Sequence, residues 1–101
     1  MDRRLELHEI LCGFLGSRNA YYNPPESVKM EYPAIKYSKK AIPAKYASNR
    51  IYSRMTGYEL IVISKTPDNE VINKLMELPY ISYDRQYKAD NLNHDVLTLY
   101  F

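Results

Sequence analysis

The chain has 101 residues, which is room for one domain with one hydrophobic core. Its 14 basic and 12 acidic residues leave a net charge of +2, too small by itself to indicate a nucleic-acid-binding protein. The single cysteine, Cys12, excludes a disulfide within the chain and suits a reducing cytoplasm. The longest apolar run, Leu60 to Ile63, is far shorter than the roughly 20 residues that span a bilayer, and the charged first residues do not resemble a signal peptide. We therefore expect no membrane partner.

The first third of the sequence predicts a helix followed by two short strands. Four apolar residues recur at helical spacing over residues 3–15: Leu7, Ile10, Leu11 and Phe14. Asp2 can cap the start of this helix, and Gly16 can close its end. Strands are predicted at residues 19–22 and 33–37, on either side of a proline-containing turn.

The remainder predicts a strand, a helix and two more strands. In residues 58–65 apolar side chains occur at both odd-numbered and even-numbered positions, so both faces of a strand there would be apolar. This indicates a strand that is central or covered on both sides. Thr66 can cap a following helix with Pro67 at its first position, and Pro79 ends it. The buried stripe of this helix is predicted to be Val71, Ile72, Leu75, Met76 and Leu78.

Residues 81–87 alternate as a half-exposed strand, with Ile81, Tyr83, Arg85 and Tyr87 on one side, and residues 96–101 form the last strand. The order α-β-β-β-α-β-β predicts a single α+β domain over residues 1–101. We expect a two-layer sandwich of two helices on a mixed, mostly antiparallel sheet. The predicted core is Leu7, Leu11, Phe14, Leu60, Val62, Leu75, Val96 and Leu99.

No catalytic or metal-binding motif is present. The chain has three glycines in all and lacks a Gly-x-Ser-x-Gly motif, a glycine-rich phosphate loop and a Cys-x-x-Cys pair. His8 and Cys12 stand one helical turn apart, as a base and a nucleophile could, but both also fit the flank of a core helix. A structural zinc site needs four ligands, and no second pair has suitable spacing. We therefore predict a protein that is not an enzyme and binds no metal or cofactor.

The charge pattern points to the middle of the chain. Between Glu31 and Glu59 there is no acidic residue, and six of the 14 basic residues lie there: Lys36, Lys39, Lys40, Lys45, Arg50 and Arg54. Apolar and aromatic residues are interleaved with them. Three interpretations stay open: phosphate neutralisation with base stacking on a nucleic acid, contact with an acidic protein partner, or a solvated loop.

Residues 38–56 show neither helical nor strand periodicity, and we predict a long projecting loop there. A structureless stretch of that length is uncommon in a compact domain unless it is functional or disordered. Its apolar content favours a partner that covers it, and the 11 tyrosines of the chain suit surfaces that are buried on assembly. The predicted subunit-interface residues are Ile42, Tyr46, Ile51, Tyr52 and Met55.

Several segments, in this order and spacing, resemble a known family of phage proteins. They are residues 7–12 with 15–17, 20–25, 30–37, 45–49, 58–63, 67–70 and 89–95, so the likeness covers nearly the whole chain. The family comprises small proteins from the head-tail region of tailed phages and prophages of low-GC Gram-positive bacteria, labelled tail-completion or minor structural proteins. None of these segments is a catalytic or ligand-binding motif. The likeness lies in the order, the spacing and the residue types of the segments.

The resemblance implies a tail-terminator fold and a hexameric ring of copies of the chain. Such a ring caps the tail tube, meets the tube protein and the head-proximal connector or stopper protein, and lets DNA pass through its lumen. The expected location is the virion tail or neck, with the host cytoplasm as the site of assembly. Two alternatives remain at this stage: a head-closure or neck protein of the same region, and a small nucleic-acid-binding module that uses residues 36–54.

Overall fold

The computed structural model describes residues 3–25, 29–41, 55–66 and 70–101. These residues contain two helices and five strands in the predicted order α-β-β-β-α-β-β, so the α+β class is confirmed. The helices are α1 (Arg4–Leu15) and α2 (Glu70–Leu75). The strands are β1 (Ala20–Tyr22), β2 (Ala34–Lys40), β3 (Gly57–Ser64), β4 (Ile81–Ala89) and β5 (Leu92–Tyr100).

The strands form one mixed sheet in the spatial order β1-β2-β3-β5-β4. β1 pairs in parallel with β2, and every other neighbouring pair is antiparallel. β3 and β5 are therefore central, while β1 and β4 are the two edges. The helix-derived core residues and the inward side chains of β2, β3 and β5 form one cluster, so α1 and α2 both pack on the same face of the sheet. We call this the helix-covered face and the other the opposite face.

The ends of α1 follow from local chemistry. Gly16 has φ 72°, a left-handed conformation that glycine adopts without a Cβ penalty, and its N–H donates to the Cys12 carbonyl at 2.9 Å. At the other end Arg3 occupies the N-cap position without a side-chain cap, and the predicted cap Asp2 lies outside the described residues. Leu7 and Leu11 are fully buried, whereas Phe14 is only partly buried against the core.

The core is built by alternation along the central strands. Tyr37, Leu60 and Leu97 are register neighbours across β2, β3 and β5, and all three lie under the helices. Tyr37 and Tyr58 are the largest fully buried side chains, and their rings meet edge to face with centroids 6.1 Å apart. Seven of the eight predicted core residues are buried, and Phe14 is the one that is not. Val96 is buried on the opposite face.

Three strands are longer than the sequence predicts, and of these β4 gains only Lys88 and Ala89. β2 continues to Lys40 because its antiparallel register with β3 runs unbroken from Ala34↔Ile63 to Lys40↔Gly57. β5 begins at Leu92, four residues before the predicted start. Asp90 and Asn91, with φ of 53° and 61°, form a two-residue turn of the kind that joins strands directly, so the hairpin of β4 and β5 pairs from the turn onward.

The second helix ends earlier than predicted. α2 runs from Glu70 to Leu75 and buries Val71 and Leu75, with Ile72 and Leu78 partly buried. Met76, predicted in the buried stripe, lies just after the helix and is 44% exposed. The predicted N1 residue Pro67 lies outside the described residues.

Truncation of the buried leucines tests this core. Leu11→Ala and Leu75→Ala should each lower the free energy of unfolding by about 2–5 kcal/mol, because each removes a fully buried side chain and leaves a cavity. Met76→Ala, beside α2 but exposed, should change it by less than about 0.5 kcal/mol. Urea unfolding followed by circular dichroism measures all three. A loss below about 1 kcal/mol for both leucines would show that the buried faces are misassigned.

Candidate assembly surfaces

The central basic segment leaves and re-enters the sheet at neighbouring positions. Lys40 at the end of β2 pairs directly with Gly57 at the start of β3. On its other side, the pairing of β3 with β5 extends one step before Gly57, because Thr56 and Phe101 exchange two backbone hydrogen bonds of 2.9 Å. The predicted loop over residues 38–56 therefore has to be corrected: Ser38, Lys39 and Lys40 belong to β2, and the connection comprises residues 41–56.

The predicted charged residues fall into two groups. Lys36 and Lys40 point to the opposite face, and the Lys40 Nζ donates to Thr98 Oγ1 at 3.2 Å. Lys39, between them in sequence, points to the helix-covered side because side chains alternate along a strand. Lys36, Lys39 and Lys40, predicted to contact a DNA channel or an acidic partner, therefore do not share one face of β2. The other predicted residues lie outside the described ranges: Lys45, Arg50, Arg54, Ile42, Tyr46, Ile51 and Tyr52. Met55, the remaining interface candidate, is half-buried.

The opposite face combines an apolar centre with charged margins. One transverse row across four strands consists of Lys36, Ile61, Val96 and Arg85. Val96 is buried and Ile61 is half-buried, while the two flanking basic side chains are exposed. Arg85 also pairs with Asp84 at 2.6 Å, so part of its charge is compensated. The accessible part of this row is therefore its two basic ends and the half-buried Ile61.

β4 is the element whose exposure the sequence reasoning underestimated. Apart from its half-buried end residues Ile81 and Ala89, every residue of this nine-residue edge strand is exposed. It carries Tyr83 and Tyr87, 42% and 40% exposed, and the neighbouring Tyr80 is 43% exposed. Tyrosine is enriched in protein interfaces because its ring is apolar and its hydroxyl tolerates water. The 11 tyrosines of the sequence indicate that some surface is buried on assembly, but their number does not identify β4 as that surface.

A β-bulge redirects the side chains of β4. Tyr83 pairs with Leu97, but Arg85 pairs with Val96, so two residues of β4 oppose one of β5. Tyr83 therefore points to the helix-covered side, while Arg85 and Tyr87 point to the opposite face. The predicted single face for these residues is wrong for this reason. On the opposite face Tyr87 stacks on His94 with ring centroids 4.7 Å apart and an interplanar angle of 11°.

A buried carboxylate anchors the edge strand. Asp95 of β5 is 2% exposed, and its Oδ1 accepts hydrogen bonds from the Tyr83 hydroxyl at 2.6 Å and the Gln86 amide at 2.9 Å. The bond to Asp95, followed by burial, raises the pKa of Tyr83 to about 12. Both donors come from β4, so this carboxylate ties the exposed strand to the central one. A buried charge of this kind is stable only while its hydrogen bonds are made.

The histidine and cysteine of α1 are engaged in packing. His8 Nδ1 and the Tyr37 hydroxyl share a hydrogen bond of 2.7 Å, and Cys12 is buried in the core cluster. Burial, followed by the charge of Arg18, lowers the pKa of His8, and burial raises the pKa of Tyr37. The pair therefore stays neutral near pH 7. The geometry gives His8 a structural partner other than the Cys12 thiol.

A cleft opens at the far end of the helix layer. It lies between the last turn of α1, the start of β2, the end of β3 and α2, and has a volume of about 420 Å³. Phe14, Leu15, Pro33 and Val71 supply its apolar wall. Its polar lining includes Lys65, Thr66, Glu70 and Lys74. The sequence pattern does not reveal this cleft, because its lining comes from four separate segments.

Comparisons with models of known families, with curated proteins and with solved structures found no match to this chain. Among residues 3–25, 29–41, 55–66 and 70–101, no three His, Cys, Asp or Glu side chains come together as a metal site would require. In the same part of the chain, neither helix has the length and apolar character needed to cross a membrane.

The Asp95 anchor can be tested by removing one donor. Tyr83→Phe should lower the free energy of unfolding by about 1–3 kcal/mol, because it leaves a buried carboxylate with one fewer hydrogen bond. Tyr87→Phe on the same strand keeps the ring that stacks on His94, so it serves as the matched control and should change stability by less than about 0.5 kcal/mol. Equal effects of the two substitutions in urea unfolding would refute the anchor.

The hydrogen bond between Tyr83 and Asp95 also makes the free energy of unfolding depend on pH. The folded-state pKa of Tyr83 is raised to about 12, above its ordinary value of about 10, so the bond contributes fully below pH 10. Its contribution is lost as the pH rises through about 12. The stability difference between the wild-type chain and Tyr83→Phe should therefore be constant from about pH 7 to 10 and shrink above that. A difference that grows with rising pH would contradict the assigned direction.

Proposed function

We propose that this chain is a ring-forming structural subunit of a tailed-phage virion, a tail-completion or terminator protein. In this role it caps the tail tube and joins it to the head-proximal connector or stopper protein. The observation that carries the proposal is the connection between β2 and β3. Its ends, Lys40 and Gly57, are directly paired, yet the 16 residues 41–56 lie between them. A two-residue turn would join such strands, so the extra length serves something other than chain connection.

The composition of that connection indicates what it contacts. It contains Ile42, Tyr46, Ile51, Tyr52 and Met55 together with Lys45, Arg50 and Arg54, and no acidic residue. Apolar side chains left in water would be a liability, and burial against a neighbouring copy recovers roughly 25 cal/mol per Å² of apolar area. In a ring every copy makes the same contact. The basic side chains then meet the DNA that passes through the lumen or acidic groups of the next component.

The exposed tyrosines of β4 support an assembly role independently. Tyr80, Tyr83 and Tyr87 are each about two fifths exposed on one edge of the sheet. Tyrosine side chains that are exposed to solvent in the free chain are typical of surfaces that become buried in a complex. The proposal includes no catalytic step and no cofactor, because His8 and Cys12 are used in packing. A head-closure or neck position in the same region of the virion rests on the same surfaces.

A nucleic-acid-binding module is the second candidate, and the placement of Lys36, Lys40 and Arg85 on the opposite face favours it. The dependence of DNA affinity and of assembly mass on salt concentration distinguishes the two candidate functions. An affinity for DNA that depends on these phosphate contacts should fall linearly in log K against log[salt], with a slope of about −0.9 per contact. A ring held by apolar burial should keep its mass between roughly 50 and 200 mM salt. Tight DNA binding by a chain that stays monomeric would favour the second candidate.

Removal of the connection tests the ring proposal. Replacing residues 42–55 by Asn-Gly retains the Lys40↔Gly57 pair and the Thr56–Phe101 hydrogen bonds. We expect a folded monomer by circular dichroism and light scattering, and few tailed particles when this variant complements a phage that lacks the wild-type gene. A full-length variant with Lys45, Arg50 and Arg54 changed to Gln keeps the length of the connection and removes three positive charges. It therefore distinguishes the effect of the charges from the effect of the length. If the shortened chain folds and still yields normal numbers of tailed particles, the connection is passive and the proposal fails.

A further inference from the structure

The hydrogen bond between His8 and Tyr37 joins the middle of α1 to β2. His8 Nδ1 and the Tyr37 hydroxyl oxygen are 2.7 Å apart. Tyr37 is 1% exposed and belongs to the core cluster, whereas His8 is half-buried, so protons from solvent can reach its ring. Histidine is the side chain whose charge ordinarily changes between about pH 5 and 8. A group that titrates in this range therefore lies at the contact between the helix layer and the sheet.

The surroundings of the Tyr37 hydroxyl indicate which partner donates in this bond. The Arg4 guanidinium lies over the Tyr22 ring, with 4.4 Å between Cζ and the ring centroid, and acts on the Tyr37 hydroxyl as a donor and as a positive charge. Arginine has no acceptor, so the hydroxyl proton cannot be given to Arg4. The arrangement that satisfies the donors has the hydroxyl donating to an unprotonated Nδ1 of His8. We therefore assign a neutral His8 with its proton on Nε2.

The second histidine of the chain has the opposite arrangement. His94 Nδ1 lies 3.1 Å from the Leu92 backbone carbonyl oxygen, which only accepts, so this nitrogen carries a proton. A second proton on the His94 ring binds Nε2 and leaves the bond to Leu92 intact. A second proton on the His8 ring binds Nδ1, the atom that accepts from Tyr37, and so removes the acceptor of that bond. Protonation therefore acts on a contact of the fold at His8 and not at His94.

The charged groups around the pair oppose a positive charge on His8. The titratable and charged groups near the pair are Arg4, Glu9 and Cys12 of α1, Arg18 just after it, and Tyr22 and Tyr58 of the sheet. Burial lowers the pKa of His8, and the positive charge of Arg18 lowers it further. Glu9 raises this pKa and Arg4 lowers it. Glu9 is itself paired with Arg18 at 2.6 Å, which compensates part of its charge.

From this geometry we propose that protonation of His8 loosens the attachment of α1 to the sheet, so that the helix opens more readily in mildly acidic solution than at neutral pH. Protonation leaves the Tyr37 hydroxyl facing two donors, with its own proton lacking an acceptor. It also adds a positive charge near the guanidinium groups of Arg4 and Arg18. The contact is thus an acid-sensitive switch between α1 and β2, and it operates in the free chain whether or not the chain forms rings.

The direction of the pH dependence follows from the two states of the helix. In the open state His8 is in water and titrates near its ordinary pKa of about 6.5, whereas the closed state holds the pKa of His8 below that value. The closed state therefore has its full stability above about pH 6.5 and loses it as the pH falls through the folded-state pKa. One extra proton bound in the open state increases the equilibrium constant for opening by up to about tenfold per pH unit.

Hydrogen exchange of the α1 amides, corrected for the intrinsic rate at each pH, measures this opening. In the wild-type chain the equilibrium constant for opening should rise by about threefold or more between pH 7 and about pH 5.5. His8→Gln should show no such rise, because its side-chain oxygen accepts from Tyr37 and binds no proton. His94→Gln is the matched control and should keep the wild-type rise. Circular dichroism at pH 7 checks that each variant folds.

An NMR titration of the imidazole rings tests the role of Tyr37 separately. Tyr37→Phe removes the hydroxyl that donates to neutral His8, so the titration midpoint of His8 should move to higher pH, while that of His94 should not move. This titration decides the proposal even if His8→Gln does not fold. Three results would overturn the inference: opening of α1 that does not change between pH 7 and 5.5, an equal rise in His8→Gln, or a His8 midpoint that Tyr37→Phe does not raise.

Discussion

The structure depends on one constraint: both helices bury their apolar stripes on the same face of a single sheet. Leu7 and Leu11 of α1 and Val71 and Leu75 of α2 pack on the inward side chains of β2, β3 and β5. Because side chains alternate along a strand, this places one alternating set of side chains from the central strands under the helices. A shift of one residue in register would exchange the two faces, so the pairing of β3 with β2 and β5 also determines which residues remain for contacts with other molecules.

That division accounts for the surfaces available for assembly. The opposite face keeps Lys36, Lys40 and Arg85 around an apolar centre, and the helix layer leaves a cleft between α1 and α2. At one edge β4 is held by Asp95 through Tyr83 and Gln86, which fixes the position of an exposed strand that has one hydrogen-bonded neighbour among the described residues. The centre of the opposite face is buried at Ala34, Ile63 and Val96, so contacts on that face involve its charged margin.

The sequence predicts the elements well and the surfaces poorly, for physical reasons. Periodicity identifies α1 and α2 because their apolar spacing is set by a single buried face, and β3 is identified because it is apolar on both of its faces. The burial of Tyr37 and Tyr58 does not follow from periodicity, since a tyrosine fits a core or a wet surface equally. The extension of β2 through Ser38 to Lys40 depends on pairing with a strand 17 or more residues away, which local pattern does not encode. The bulge in β4 changes the parity of Arg85 and Tyr87 without any proline or glycine to mark it.

The central claim is that this chain is a repeated structural component of a tailed virion. Electron cryomicroscopy of tailed particles produced from the genome that encodes the chain tests this most directly. The account predicts a closed ring of copies of this α+β domain at the head-proximal end of the tail tube, with residues 41–56 in contact with the neighbouring copy. Purified, infectious tailed particles that contain no copy of the chain would contradict the account.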